Sequence, residues 1–200
     1  MSVGQWCTAL LLATLLAATS GAPPARAQGP ERLKIVGNDR QFVIQTPQGP
    51  FTITRTLTAC APVKGFLQPL IPLPGVRPVA EIEVLQALND PQTMVIDMRD
   101  DGEPLEATIP NSYNIPFNEL EDRMDEMGCT RQNKQPWDCT KALQIVAFCN
   151  GPVCPQSPAG IASMVRAGFP VSKISYYRGG MMDWEALGLT TVSGHRPTKK

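Results

Sequence analysis

A cysteine placed for nucleophilic chemistry stands at position 149, inside Leu143-Gln-Ile-Val-Ala-Phe-Cys-Asn-Gly-Pro-Val-Cys-Pro-Gln-Ser-Pro158. The thiolate is the reactive form of cysteine, and a helix N-terminus lowers a thiol pKa from its usual value of about 8.5. Ser157-Pro158 reads as a helix start. Ser is a favoured N-cap, and Pro at the first helical position gives up an amide that had no partner. Cys149 would then face the positive end of that helix, with loop amides able to surround an anion. A buried strand-end cysteine acting only as a small hydrophobe is the alternative. The agreement of strand, loop and cap favours the reactive reading. Asp97 and Arg99 stand two apart at another strand end, on one side of the pleat. An ion pair that fixes neighbouring loops is preferred for them over a catalytic role. His195 is the one histidine in the chain, so a Cys-His pair is not expected. No spacing suggests a metal site or a cofactor.

The elements that must position these groups follow from periodicity. Leu143 to Phe148 is a short apolar run, β-branched at Ile145 and Val146, which fits a fully buried parallel strand. Cys149 follows it directly, at the carboxyl edge where open α/β sheets bind ligands. Upstream, Ile82, Leu85 and Leu88 share one helical face, and Met94 to Met98 is a strand. Asn118 with Glu121 suggests a capping pair before an acidic helix to about Met127, whose carboxylates (Glu119, Glu121, Asp122, Asp125, Glu126) read as a solvated face. Downstream, Ile161, Met164 and Val165 mark a helix closed by Gly168. Ser172 to Tyr177 is a strand, and Met181 to Leu187 a last helix with Trp184 in the core. Strands alternating with helices argue for an α/β fold, a parallel sheet flanked by helices.

Four pieces in this order resemble the rhodanese-like domain: Met94-Val-Ile-Asp-Met-Arg99, Ile109-Pro-Asn-Ser-Tyr-Asn-Ile-Pro116, the Cys149 loop, and Tyr177-Arg-Gly-Gly-Met-Met-Asp-Trp-Glu-Ala-Leu-Gly188. The likeness covers residues 79–192. It implies a sulfurtransferase in which Cys149 takes the outer sulfur of a small donor as a persulfide and passes it to a thiol or cyanide. It also implies that Asn150, Gly151, Val153, Cys154 and Ser157 surround the substrate, with the amides of the last four as the cradle. Members that use thiosulfate well tend to carry Arg or Lys in this loop. Residues 150–156 hold none, and Pro152 and Pro155 remove two amides. Thiosulfate is therefore not expected to be the preferred donor. The position often held by His before Ile-Pro is Thr108. Phosphatases and arsenate reductases of the same fold use Cys-x5-Arg, and here that position is Pro155, so no Arg grips an oxyanion. Two other readings stay open: a thiol–disulfide or persulfide relay through Cys149 and Cys154 with a redox partner protein, and a non-catalytic binding module.

Before this domain, residues 1–27 read as a secretory signal, with an apolar run from Ala9 to Ala18 and a cleavage site after Ala25-Arg26-Ala27. A periplasmic or secreted protein is expected, without membrane insertion, because the run is too short to span a bilayer. Losing Arg26 leaves the 18 acidic residues one ahead of the basic ones. Nucleic acid is a poor partner for such a chain. Residues 28–78 form a β extension and Pro-rich connector, with candidate strands at 32–36 and 41–45 and an alternating run from Phe51 to Thr56. A hairpin of this size must pack on the main domain or a partner. Residues 193–200 are a tail. In an oxidising compartment Cys129 and Cys139, flanking a polar insertion, are expected to pair. Cys60 and Cys154 then remain. Packing of Cys154, or its pairing with Cys60, is preferred over a role in resolving a Cys149 persulfide, with its side chain turned away from Cys149.

Overall fold

The computed structural model describes residues 31–58, 64–100, 107–133 and 135–194. The signal segment, Cys7, Cys60 and His195 lie outside them. Five parallel strands build the central sheet: β3 (Arg77–Val79), β4 (Thr93–Asp97), β5 (Tyr113–Asn114), β6 (Gln144–Phe148) and β7 (Ile174–Tyr177), in the order β3-β7-β6-β4-β5. Strand β6 is the middle strand, in register with β4 at Asp97–Phe148 and with β7 at Phe148–Tyr177. Its four apolar residues are all buried because both faces are covered. Ile145 and Ala147 pack toward α2 (Gln156–Arg166), beside Met98, Ile161 and Met164. Val146 and Phe148 pack toward α1 (Glu81–Leu88) and α3 (Gly180–Ala186), beside Val84, Met181 and Trp184. Each large side chain removed from water in this way contributes about 1.5–3 kcal/mol.

Several elements differ from the sequence reading. In α1 the buried face is Val84 and Ala87, while Ile82 and Leu85 are 63% and 40% exposed. The helix is rotated so that Val84 reaches the layer of Val95 and Tyr177 on the sheet. The acidic stretch after Phe117 forms successive turns and one 3₁₀ turn, Met124–Met127, stopped by Gly128 at φ +86°. Its carboxylates are not all free in solvent, for Glu119 and Glu126 clamp Arg123 at 2.8 and 2.6 Å. The end of the connector is the edge strand β3, parallel to β7. Residues 32–36 make only isolated bridges, Leu33 with Arg55 and Val36 with Asp39.

Cys129 and Cys139 are bridged, with Cα atoms 4.2 Å apart. They close a small lobe in which Arg131 stacks on Trp137 at 4.4 Å. A bridge of this span, 10 residues, stabilises by roughly 3 kcal/mol on the chain-entropy model. Strands β1 (Gln41–Thr46) and β2 (Gly49–Thr54) make the N-terminal antiparallel hairpin. Its pairs Phe42–Ile53 and Ile44–Phe51 lie on one face, and all four side chains are exposed. The hairpin is a sheet of its own, and just before it Leu33, which bridges to Arg55, and Ile35 are buried. Among the described residues no helix is long and apolar enough to cross a membrane.

Candidate active site

Three segments meet at the carboxyl edge of the sheet: the turn after β4, the loop after β6 and the Arg178-Gly-Gly turn after β7. Cys149 leaves β6 with its carbonyl taking the amide of Met181 at 3.0 Å, and Asn150 does the same with Met182 at 2.9 Å. These bonds need backbone against backbone. Gly180, at φ +56°, has no room for a Cβ because the Cys149 carbonyl fills that space. The loop then folds through a turn in which the Cys154 amide donates to the Gly151 carbonyl at 2.9 Å.

Helix α2 begins two residues earlier than the expected Ser157 cap. Pro155 is the N-cap, and Ala159 donates to its carbonyl at 3.0 Å. Pro158 is tolerated inside the first turn because the first amides of a helix have no internal partner. Ser157 consequently lies within the helix, fully buried, and its hydroxyl has no hydrogen-bond partner in the structure. That hydroxyl and the Ser157 amide face the Cys149 sulfur and favour its thiolate. Of the four amides expected in the cradle, Ser157's faces that sulfur, while Cys154's is spent on Gly151.

Both thiols are free and buried, Cys149 at 2% and Cys154 at 5% exposure. The Cys149 sulfur lies 3.5 Å from the Cys154 carbonyl. Contrary to expectation, the Cys154 side chain is turned inward, because the Gly151–Cys154 turn and the early start of α2 fold it back. The Cys149 thiol donates to the Cys154 carbonyl, and the Cys154 thiol to the Gln156 side-chain oxygen at 3.4 Å. The neighbouring Cys149 side chain, the amides of Gln156 and Asn150 and the charge of Arg99 favour the Cys154 thiolate against its burial. Together these bring Cys154 down to about 7. Burial, and next the neighbouring Cys154, push the Cys149 thiol up instead. The two titrate as one coupled pair.

Asp97 and Arg99 form a buried ion pair, Nη2 to Oδ2 at 2.6 Å, with Arg99 Nε on both carboxylate oxygens at 2.9 and 3.0 Å. Thr108 Oγ1 donates to Asp97 at 2.8 Å. Arg99 also reaches the Ala107 carbonyl at 2.8 Å and the Asn150 side chain at 3.4 Å. The pair thus braces the loop and touches neither sulfur. Residues that the sequence reading left out complete the site. The Gln68 amide donates to the Pro152 carbonyl at 2.8 Å, and Arg178 Nε holds the Gln68 carbonyl at 2.7 Å. Gly65, at φ +118°, lies flat on the Val153 carbonyl, where a Cβ would not fit. An isolated glycine in a Pro-rich connector was the one available signal. Tyr176, on β7, is fully buried with an unpartnered hydroxyl, and burial first and the two sulfurs next raise its pKa.

Among the described residues no His, Cys, Asp and Glu cluster is arranged to hold a metal ion. A 440 Å³ concavity between the α1–β4 turn and Tyr113 lies at the opposite, amino edge of the sheet and shares no residue with the loop.

A family model of the rhodanese-like domain matches residues 81–187. The chain is 28% identical over 116 residues to the HTH-type transcriptional regulator Rv0324 of Mycobacterium tuberculosis, covering 58% of this chain and 45% of that protein. It therefore spans less than half the length of that relative. Among solved structures, a thiosulfate sulfurtransferase from Pseudomonas aeruginosa is similar at 22% identity and a TM-score of 0.44, over 60% of this chain and 21% of the other. A rhodanese-related protein from Thermoplasma volcanium is similar at 20% identity and a TM-score of 0.42, over 58% and 97%.

Proposed function

The chain belongs to the rhodanese-like domain family, and on that premise we propose that it is a sulfurtransferase carrying sulfane sulfur as a persulfide on Cys149. The observation that carries this reading is the Cys149 sulfur at the carboxyl end of β6, with the Ser157 amide and its unpartnered hydroxyl turned toward it. A thiolate or persulfide there would receive both donors. Cys149 attacks the terminal sulfur of the donor, the donor's remaining thiol leaves with the electron pair, and a thiol or cyanide later removes the bound sulfur.

The donor follows from charge. Residues 150–156 carry no Arg or Lys, and the nearest guanidinium, Arg99, is neutralised by Asp97. Each charged hydrogen bond that a dianion lacks costs about 1.5–3 kcal/mol. Thiosulfate is thus a poorer donor than a polysulfide or a low-molecular-weight persulfide. The apolar run Ala9–Ala18 and the bridged Cys129–Cys139 pair support action after export to a periplasm or the exterior. The reactive pair argues against a pure docking module.

Intact mass after incubation with thiosulfate, polysulfide or glutathione persulfide tests this. One added sulfur, about 32 Da, should appear on Cys149, fastest with the persulfide. Cys149→Ser should lose sulfur transfer by at least about a thousandfold, since loss of a nucleophile removes the covalent route. Comparable turnover by the variant with any donor would remove Cys149 from the mechanism.

A further inference from the structure

The cradle of this loop is already filled by one of its own side chains. The Cys149 side chain and the Gln156 and Asn150 amides favour a thiolate at Cys154, beside the Cys149 sulfur that a persulfide would extend. As a thiol, Cys154 Sγ donates to the Gln156 side-chain oxygen at 3.4 Å. The Gly151–Cys154 turn holds the two cysteines against each other, with the Cys149 sulfur on the Cys154 carbonyl. Packing alone does not explain a buried thiol whose neighbours favour its anion, since a hydrophobe needs no such setting. Among the described residues no other cysteine bonds to it.

We propose that Cys154 is the resolving thiol of this enzyme: it displaces sulfur from the Cys149 persulfide as hydrosulfide and closes a Cys149–Cys154 disulfide. The step rests on the persulfide reading above. As Cys149 attacks a donor persulfide, its proton passes to Cys154, the donor leaves as a thiolate, and Cys149 carries the extra sulfur. Cys154 then gives its proton to solvent and attacks the inner sulfur of that persulfide. The bond between Cys149 and the outer sulfur breaks, hydrosulfide leaves with its electron pair, and the intramolecular disulfide forms. Two electrons from a dithiol reductant restore both thiols, through a mixed disulfide. The sum consumes one persulfide and one dithiol and yields one thiol, one hydrosulfide and one disulfide. The enzyme is therefore a reductant-dependent, hydrosulfide-releasing sulfurtransferase whose turnover needs a dithiol of the thioredoxin type of chemistry. Proximity drives the internal step, because a neighbouring thiol held in place outcompetes one from solution.

The experiment gives fully reduced protein, cleared of reductant, one equivalent of glutathione persulfide, and follows hydrosulfide release with intact mass and peptide mapping. Wild type should release one equivalent, lose two hydrogens, show a Cys149–Cys154 linked peptide, and stop until a dithiol is added. Cys154→Ser and Cys154→Ala should keep the added sulfur on Cys149 and release hydrosulfide at least tenfold more slowly. Their thermal midpoints establish that they are folded. A wild type that keeps its persulfide as long as these variants, or turns over repeatedly without a dithiol, would overturn the resolving role while leaving sulfur transfer intact. If neither wild type nor variants ever take sulfur onto Cys149, the sulfurtransferase reading itself fails, and the resolving step with it.

Discussion

The facing thiols of Cys149 and Cys154 set how this site answers to pH. Cys154 in the folded protein ionises at about 7, below its ordinary value of 9.0. Stability from its thiolate is complete only above that ordinary value and is lost as pH falls through about 7. The groups facing it are the Cys149 thiol, the Gln156 and Asn150 amides and Arg99 after β4. Tyr176 on β7, whose own ionisation both sulfurs oppose, lies near them. Alkylation of the pair by iodoacetamide should therefore rise with a midpoint near 7 and fall about tenfold per pH unit below it. In Cys149→Ala that midpoint should move upward, because the thiol hydrogen bond is the largest influence holding it down. An unchanged midpoint would contradict the pairing. Cys149, Asp97 and Arg99 could be found in the sequence because each ends a strand whose apolar pattern is plain. The inward turn of Cys154 could not, since it depends on whether α2 starts at Gln156 or at Pro158, a shift that no propensity resolves.

At the scale of elements, the Cys149 loop is held from outside by a strap that belongs to the N-terminal extension. The Gln68 amide grips the Pro152 carbonyl, and Gly65 covers that of Val153. In a trans peptide the carbonyl and the following N–H point opposite ways. A strap on those carbonyls thus turns the next amides, Val153 and Cys154, toward the inside of the loop. Gly65→Val should push the strap away from Val153 and also strain a backbone at φ +118°. Sulfur transfer should drop about ten- to a hundredfold, a loss of the size that small misplacements of reacting groups produce, with far-ultraviolet circular dichroism preserved. Wild-type kinetics in the variant would show that the strap does not set the loop. Strands β4, β6 and β7 were legible from the sequence, since buried parallel strands read as apolar runs. The strap was not, because its value lies in backbone contacts that leave no side-chain pattern. The face of α1 was misread for a related reason: Ile82, Leu85 and Val84 are all apolar, and only packing against Val95 and Tyr177 chooses Val84.

For the whole molecule, the α/β body and the hairpin differ in how they are held. The body has two buried layers and a covalent bridge, whereas β1 and β2 pair only with each other. Replacing residues 41–54 by a short linker should leave the thermal midpoint of the body within about 2 °C, as expected when no core contact is lost. It should also reduce any self-association, because the face of Phe42, Ile44, Phe51 and Ile53 is gone. A large fall in the midpoint on calorimetry would mean that the hairpin is part of the core. The strap has a further consequence, in time rather than in space. Arg178 and Gln68 meet across 110 residues, and contacts between such distant parts of a chain form late, after shorter loops have closed. The Cys129–Cys139 bridge spans only 10 residues and can close early. The bridge therefore needs only local closure, whereas the setting of Cys149 and Cys154 needs the strap and the sheet to be in place together.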